Sequence, residues 1–530
     1  MFQKMIQSKT TKIWSMANDE AEYKQMSRLL SSGKTTLDNE KISAALLENG
    51  VSRLAKSNEL FLITDPSDIR KEYSSETEDL GKVRSLSGNI INGFSSLNTI
   101  AIDVKGANLT LLETNIYSNR SKHYINEDML AQHNKSFADY VSEEEKAQHA
   151  ELAELIEAGD YINSNTILQT QLRKISVALK DELHQLSSLT HVLDREFDSA
   201  KVFDFINSEL EDDFVIRLKI SRVCENKNTL SPGKSCDIYV VTAEELKKIY
   251  QHADINYTII NNDVCYDNKT SRKNLTGKIF YCDEDITDFL KSNEYRKNIK
   301  LTKVLSEIKR PGEPIADAVD VSSWYQTHTE RERALKIVDD VFNFSVSRHY
   351  SKFILKNKTY QDVKVIVSWG EQIDGYEVVK IEVTDKKGKH IFKQPMLLIT
   401  NKKVSIEEEA FNIYHIYLKR SKIEGVFKFL KDVLGWEGCQ LRQFSAIKNL
   451  LTFCYFVAGY FYEIESSLTR LTVIKHIAFL GGGKGRVTRN FVLKGLGVLA
   501  TKKVVDDYIV ENKITQEELN EMYEYAGVII

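Results

Sequence analysis

At 530 residues the chain is too long for one compact core, so about two to four domains are expected. A hydrophobic share of 42% and a charged share of 28% are ordinary for a soluble globular protein. The net charge of −4 argues against a uniformly basic nucleic-acid binder and leaves local basic surfaces open, because phosphate is neutralised only by the Lys and Arg that touch it.

The opening stretch, MFQKMIQSKTTKIWSMANDE, has no apolar run of the kind a secretory signal carries. From there to about residue 58 the chain reads as polar helices, with Asp38 as a candidate N-cap ahead of the amphipathic NEKISAALLENGVSRLAKS. The period then changes. ELFLITD (59–65) reads as a buried strand ending on an acid, and LNTIAIDVK (97–105) and LTLLETNIYS (109–118) read as a strand pair. A long helical tract is expected over about 125–188, with the acidic SEEEKAQHAELAELIEAGD inside it. THVL then forms a short strand closing on Asp194, a helix follows, and DFVIRLKISR (213–222) reads as a further strand.

Residues 223–400 alternate as β structure in CDIYVVTA, KIFYC, VKVIVSW and YEVVKIEVTD, and RPGEP (310–314) is linker-like. From 401 to about 463 the chain is helical again, and so is most of the tail. The longest apolar run, LLTFCYFVAGYFY (450–462), is short of the roughly 20 residues a membrane span needs, so a cytoplasmic protein without a membrane partner is expected. Four of the six cysteines, Cys224, Cys236, Cys265 and Cys282, fall close together but lack the C-x2–4-C pair of structural zinc sites, and read with Cys439 and Cys454 as reduced thiols. GGGKGRVT (481–488) lacks the spacing of a phosphate-binding loop and reads as a turn. The histidines, including those of THTERER (327–333) and His415, show no ligand spacing.

Three carboxylates stand where apolar runs end or beside one: Asp65, Asp194 and Glu424. Rigid strand ends can hold hard oxygen donors together, and Mg²⁺ favours such donors. In YLKRSKIEGVFKFLK (417–431), read as one helix at about 100° per residue, Tyr417, Arg420, Glu424 and Lys431 share a sector roughly 60° wide beside an apolar stripe. A metal-ligating acid flanked by Arg and Lys suits an incoming phosphate backbone. On that helix alone, a solvated edge with Glu424 paired to Arg420 or Lys428 is an equal reading.

The pattern Y-x2-R-x3-E-x6-K, preceded by LDRE at 193–196, resembles the DDE transposases of the insertion-sequence-four family, most closely the transposon-five transposase branch. The resemblance extends to EDLGKVRSLSG (78–88), FVIRLKISR, MLLITNKKV, LGGGKG and LKGLGVLA. It implies an α/β fold with an RNase H-like core, a mixed five-stranded sheet flanked by helices, built from 59–222 and closed by 401–463. A mostly β insertion (223–400) would interrupt that core. A helical region at 1–58 would bind the transposon end, and a helical region at 464–530 would hold a homodimer. It implies Asp65, Asp194 and Glu424 as catalytic residues and as ligands of two Mg²⁺ ions, with Mn²⁺ able to substitute. Tyr417, Arg420, Lys431 and Arg195 would meet double-stranded DNA, and Arg195 and Glu196 would brace Asp194. The implied activity is cut-and-paste cleavage of transposon ends through a hairpin intermediate, followed by transfer into target DNA.

Asp103 and Asp68 are rivals for the first acid; the order of the motifs favours Asp65. Pro66 follows Asp65 where the family more often has Thr or Gly, and Met396 stands where close relatives place a Trp that stacks on a flipped base. Trp324 and Trp369 are candidates to replace it. Those departures, with the short N-terminal region, keep open an alternative: a catalytically impaired descendant that binds ends or acts as an inhibitor.

Overall fold

The computed structural model describes residues 1–31, 38–104, 108–121, 123–126, 155–156, 158, 161–219, 342–355, 358–392, 394–466 and 471–525, with the backbone of four strands between 237 and 282. The RPGEP linker, THTERER, Trp324, Cys224, Cys236 and most of residues 127–160 of the helical tract expected over about 125–188 lie outside these residues; the described remainder of that tract includes helix Ser164–Glu182. The chain divides into two units: Met1–Arg217 with Lys352–Tyr360 and Leu398–Ile530, and Leu218–Ser351 with Gln361–Leu397.

The fold is α/β, with a mixed, mostly antiparallel sheet flanked by helices. In the first unit the sheet is built from β1 (Glu59–Arg70), β2 (Gly81–Arg84), β3 (Ile90–Asp103), β4 (Leu109–Tyr117), β5 (Ser188–Leu193) and β6 (Asp213–Arg217). Their order runs β4-β3-β1-β5-β6: β3 and β4 are antiparallel to their neighbours, whereas β5 and β6 run parallel to β1. The strand Met396–Thr400 closes the far side, Leu398 opposite Arg217. β1 is longer than the sequence implies: it continues through Asp65 to Arg70, with Asp65 opposite Asn98. The parallel ladder to β5 stops at Thr64 opposite Leu193, so no β5 partner meets Pro66, which suits a residue without an N–H.

Strand alternation sorts the two faces. Leu60 and Leu62 of β1, Ala101, Leu112 and Leu189 pack against Leu47, Val51 and Leu54 of helix Asn39–Leu54 and against Ile175, Leu179 and Leu183 of helix Ser164–Glu182 and its end. Both helices begin on side-chain caps. Asp38 accepts from the Glu40 N–H, as its spacing predicts, and Asn163 closes a capping box with Thr166. On this face Thr99 is shared by the Thr64 hydroxyl at 2.7 Å, the Gln171 amide at 2.9 Å and, through its carbonyl, the Tyr455 hydroxyl at 3.2 Å. Four elements are thereby pinned at one point.

Helix Phe444–Ser466 has the length and apolarity to cross a membrane, yet two-thirds of its apolar window (67%) is buried inside the protein, with Leu450, Leu451, Cys454 and Tyr455 fully enclosed. Cys439 and Cys454 are free, buried thiols. The GGGKG stretch is a turn joining helices Leu471–Leu480 and Arg489–Glu511.

The second unit holds a four-stranded sheet of Asp237–Thr242, Leu275–Cys282, Asp263–Asn268 and Ile255–Ile260, in that order, and the antiparallel pairing of residues 364–373 with Tyr376–Thr384. β structure over this part of the chain agrees with the alternation in its sequence. Trp369 is buried there, stacked on Phe344, so it offers no free aromatic face.

β3 is closely approached at Gly93, where a Cβ would come within 2.4 Å of Val83 Cγ2 and 2.5 Å of the Ile69 carbonyl oxygen. The second neighbour is backbone and cannot rotate away. Gly93→Ala is expected to destabilise the fold by about 1–3 kcal/mol, the usual cost of overpacking, read as a lower denaturation midpoint.

Candidate active site

The face of the sheet opposite the two packed helices carries the acids. Phe61, Ile63 and Asp65 alternate onto it along β1, as do Thr190 and Val192 along β5, which delivers Asp194 one residue past its end. Because Thr64 is level with Leu193 in the parallel ladder, Asp65 and Asp194 come next to one another by register alone. Asp103, by contrast, sits opposite Leu60 at the other end of β1 and pairs with the Asn108 amide at 2.9 Å. Asp68 accepts from the Arg84 N–H at 3.2 Å.

The stretch 417–431 is not one continuous helix. Helix Glu407–Leu418 ends, the bonds from Lys419, Arg420, Lys422 and Ile423 close onto carbonyls three residues back, helix Ser421–Lys428 follows, and Phe429–Val433 forms a π turn closed by Leu434 N–H to Phe429 O at 3.1 Å. The tightened turn carries Arg420 inward. Its guanidinium stands 2.9 Å from Asp65 Oδ1, 3.7 Å from Asp194 Oδ2 and 3.3 Å from Glu424 Oε1. The Tyr417 hydroxyl donates to Asp194 Oδ1 at 3.0 Å. Asp65, Asp194, Glu424, Tyr417 and Arg420 are thus brought together. Lys431 is not: the wider π turn places its Nζ 2.6 Å from the Asp68 carbonyl oxygen and 3.4 Å from Glu437.

Arg195 is exposed on a short 3-10 turn, and its N–H bonds to Asp194. Met396 is 6% exposed, buried on its strand. Arg217, at the end of β6 and 3.9 Å from Asp194, joins the site although the motif reading passed over it. Its only sequence signal is its position, last in a strand parallel to β5. Glu437 was also missed; it pairs with Arg70 at 2.9 Å and with Lys431.

Burial dominates the electrostatics. It pushes the Asp65 carboxyl up to about 7, against the pull of Arg420 and with the repulsion of Asp194 and Glu196 added. Burial also works on Asp194, but there Arg420, the Arg195 N–H, the Tyr417 hydroxyl and Arg217 together outweigh it and hold the carboxyl below its ordinary value. Burial raises the Glu196 carboxyl, helped by Asp194 and Asp68. Burial and the neighbouring Asp194 carboxylate raise the Tyr417 phenol, which stays a neutral donor. Arg420 keeps its charge, since the surrounding acids more than offset its burial.

Three carboxylates on rigid supports form a hard-oxygen donor set of the type Mg²⁺ and Mn²⁺ take. Here one guanidinium lies among them. Among the described residues no three His, Cys, Asp or Glu side chains already surround a common ion position. The donor chemistry fits a divalent ion; the charge it would neutralise is presently balanced by Arg420.

Two outcomes follow from this balance. Asp65 binds its proton more tightly folded than unfolded, so the metal-free protein is expected to lose stability as pH rises from about 4 to about 7, by on the order of a few kcal/mol. Asp65→Asn should flatten that slope in denaturation midpoints measured across the range. Arg420→Gln leaves the three acids without their cation and should cost about 2–4 kcal/mol at neutral pH. Millimolar Mn²⁺ should raise the melting temperature of that variant more than that of the parent. No protein-family model and no curated protein matches the chain.

Proposed function

We propose that the chain is a DNA transposase of the DDE type, cutting transposon ends and joining them to target DNA. The observation that carries this reading is the meeting of Asp65 from mid-sheet, Asp194 from the end of the adjacent parallel strand and Glu424 from a helix at one guanidinium. The strand order β4-β3-β1-β5-β6, with β3 and β4 antiparallel and β5 and β6 parallel to β1, supports an RNase H-like core. The antiparallel pairing of β6 with Leu398–Thr400 supports the intervening β-rich residues as an insertion that leaves and returns on neighbouring strands.

Asp65, Asp194 and Glu424 would hold two Mg²⁺ ions, or Mn²⁺ in their place, which supply activation of the attacking water or 3′-hydroxyl and stabilisation of the leaving oxygen. The chain's own residues do the rest. Tyr417 fixes the rotamer of Asp194 through a charge-assisted hydrogen bond. Arg420 does most to keep that carboxylate ionised, with the Arg195 N–H, Tyr417 and Arg217 adding to it. Arg420 positions a phosphate, a contact that fixes register without reading sequence; Lys431, held by the Asp68 carbonyl and Glu437, takes no part in it. The helical N-terminal region would bind the element end, and the C-terminal helices would join two copies in the synaptic complex in the bacterial cytoplasm.

A supercoiled plasmid carrying the DNA that flanks the gene on both sides should be nicked and then linearised by the protein with Mg²⁺ or Mn²⁺. Glu424→Gln should lower that cleavage by at least about a thousandfold, the scale of losing a group that acts only in the transition state, and leave DNA affinity within about twofold. Normal cutting by the variant would falsify the assignment; binding without cutting by the parent would favour the impaired end-binding descendant instead.

A further inference from the structure

The β2–β3 hairpin is unaccounted for by the catalytic reading. Its turn is tightly defined: Ser85 N–H bonds to Asn89 O at 2.8 Å, Gly88 N–H to Ser85 O at 3.0 Å and Asn89 N–H to the Ser85 hydroxyl at 3.0 Å, with Gly88 at φ 89°. Such a turn favours Gly, Asn and Ser, which are present. Yet its outermost residues include Leu86, 92% exposed, and Ile90, 74% exposed. Neither side chain supports the fold.

The hairpin is anchored beside the acids. Val83 packs over the Gly93 backbone, the Arg84 N–H bonds to Asp68 at 3.2 Å, and the Arg84 charge acts on Glu196, two residues from Asp194. Leu86 follows two residues on, in the turn itself. Its charge is one-sided: between residues 80 and 102 there is no Asp or Glu, while Lys82 and Arg84 are both exposed. The acids that reach it, Asp68 and Glu196, lie at its base, while Glu76 pairs with Arg442 and Glu78 accepts from the Phe444 N–H. An apolar tip on a basic two-stranded stem is the chemistry of a wedge that enters a base step while its stem holds phosphates.

We propose that this hairpin is a DNA-distorting element: Leu86 inserts between bases next to the cleavage point, and Lys82 and Arg84 hold the adjoining phosphates. The proposal rests on the DNA-cutting reading of the acid site. It gives the unstacking that hairpin formation requires to an exposed side chain, since Met396 and Trp369 are both buried.

The test uses the full chain and a duplex of the flanking DNA with 2-aminopurine next to the mapped cut. The parent should raise 2-aminopurine fluorescence severalfold on binding. Leu86→Ala should lose at least about two-thirds of that rise with its melting temperature unchanged and its affinity within about threefold, because wedge insertion is separable from backbone contact. Lys82→Ala with Arg84→Ala should weaken binding and reduce the slope of log affinity against log salt by about 1.8, the expectation for two lost phosphate contacts. A Leu86→Ala protein that unstacks the base as the parent does, or a double variant with an unchanged salt slope, overturns the proposal while the catalytic reading stands. A parent that neither binds nor cuts this DNA fails the catalytic reading, and the hairpin assignment falls with it.

Discussion

The site is governed by one constraint: three carboxylates held close together need a positive charge among them. Like charges a few ångströms apart repel by on the order of a few kcal/mol at the effective dielectric of a partly buried site. Asp65 is the most enclosed of the three, with 12% of its side chain exposed, and Glu424 the least, at 44%. The protein answers the repulsion in two ways. Arg420 stands within 4 Å of all three acids, and burial leaves Asp65 holding its proton up to about pH 7. Asp194 needs no proton, because Arg420 first, then the Arg195 N–H, Tyr417 and Arg217, stabilise its charge. The states of Asp65 and Asp194 are therefore set by what neighbouring elements bring beside them.

The backbone makes this crowding possible. Parallel pairing of β1 with β5 fixes Asp65 beside Asp194 without any side-chain preference, and the polar knot at Thr99 holds β1, β3 and two helices in that register from the opposite face. A register slip of one residue would turn Asp65 onto the face where Thr64 now meets Thr99, itself bonded to Gln171, so that polar contact holds the acid on its own face. On the other side, the shift from i+4 to i+3 bonding at 419–423 turns Arg420 inward.

Much of the sheet was legible in the sequence because short apolar runs and period-two alternation are local signals: the runs ELFLIT, THVL and DFVIR, and the alternating stretches after 223, all fall on strands. The Asp38 cap was legible for the same reason. Less legible were features set by neighbours. β1 runs past Asp65 because β3 extends alongside it, which no pattern in TDPSDIR announces. The wheel for 417–431 assumed one unbroken helix, and the tight turn at 419–423 and the π turn at 429–433 shift Lys431 away toward Asp68 and Glu437. Arg217 could be found only through the parallel register that brings β6 beside β5.

The placement of Arg420 bears on how such a site would work. A single guanidinium cannot at once neutralise three acids and grip a phosphate, since both demand the same donors. On the proposed reading, a divalent cation held by Asp65, Asp194 and Glu424 would replace the neutralisation that Arg420 now supplies, and the Arg420 donors would then be open to a phosphodiester. By linkage, a phosphodiester that drew Arg420 away would raise the affinity of the acids for a cation by the same factor. Cation and DNA would then load cooperatively through one side chain; without them the acids are capped by an internal charge and not left to repel one another. The tightened turn that carries Arg420 makes this exchange local: its backbone bonds are three-residue contacts within 416–423, so the guanidinium can change partners without disturbing the sheet that holds Asp65 and Asp194.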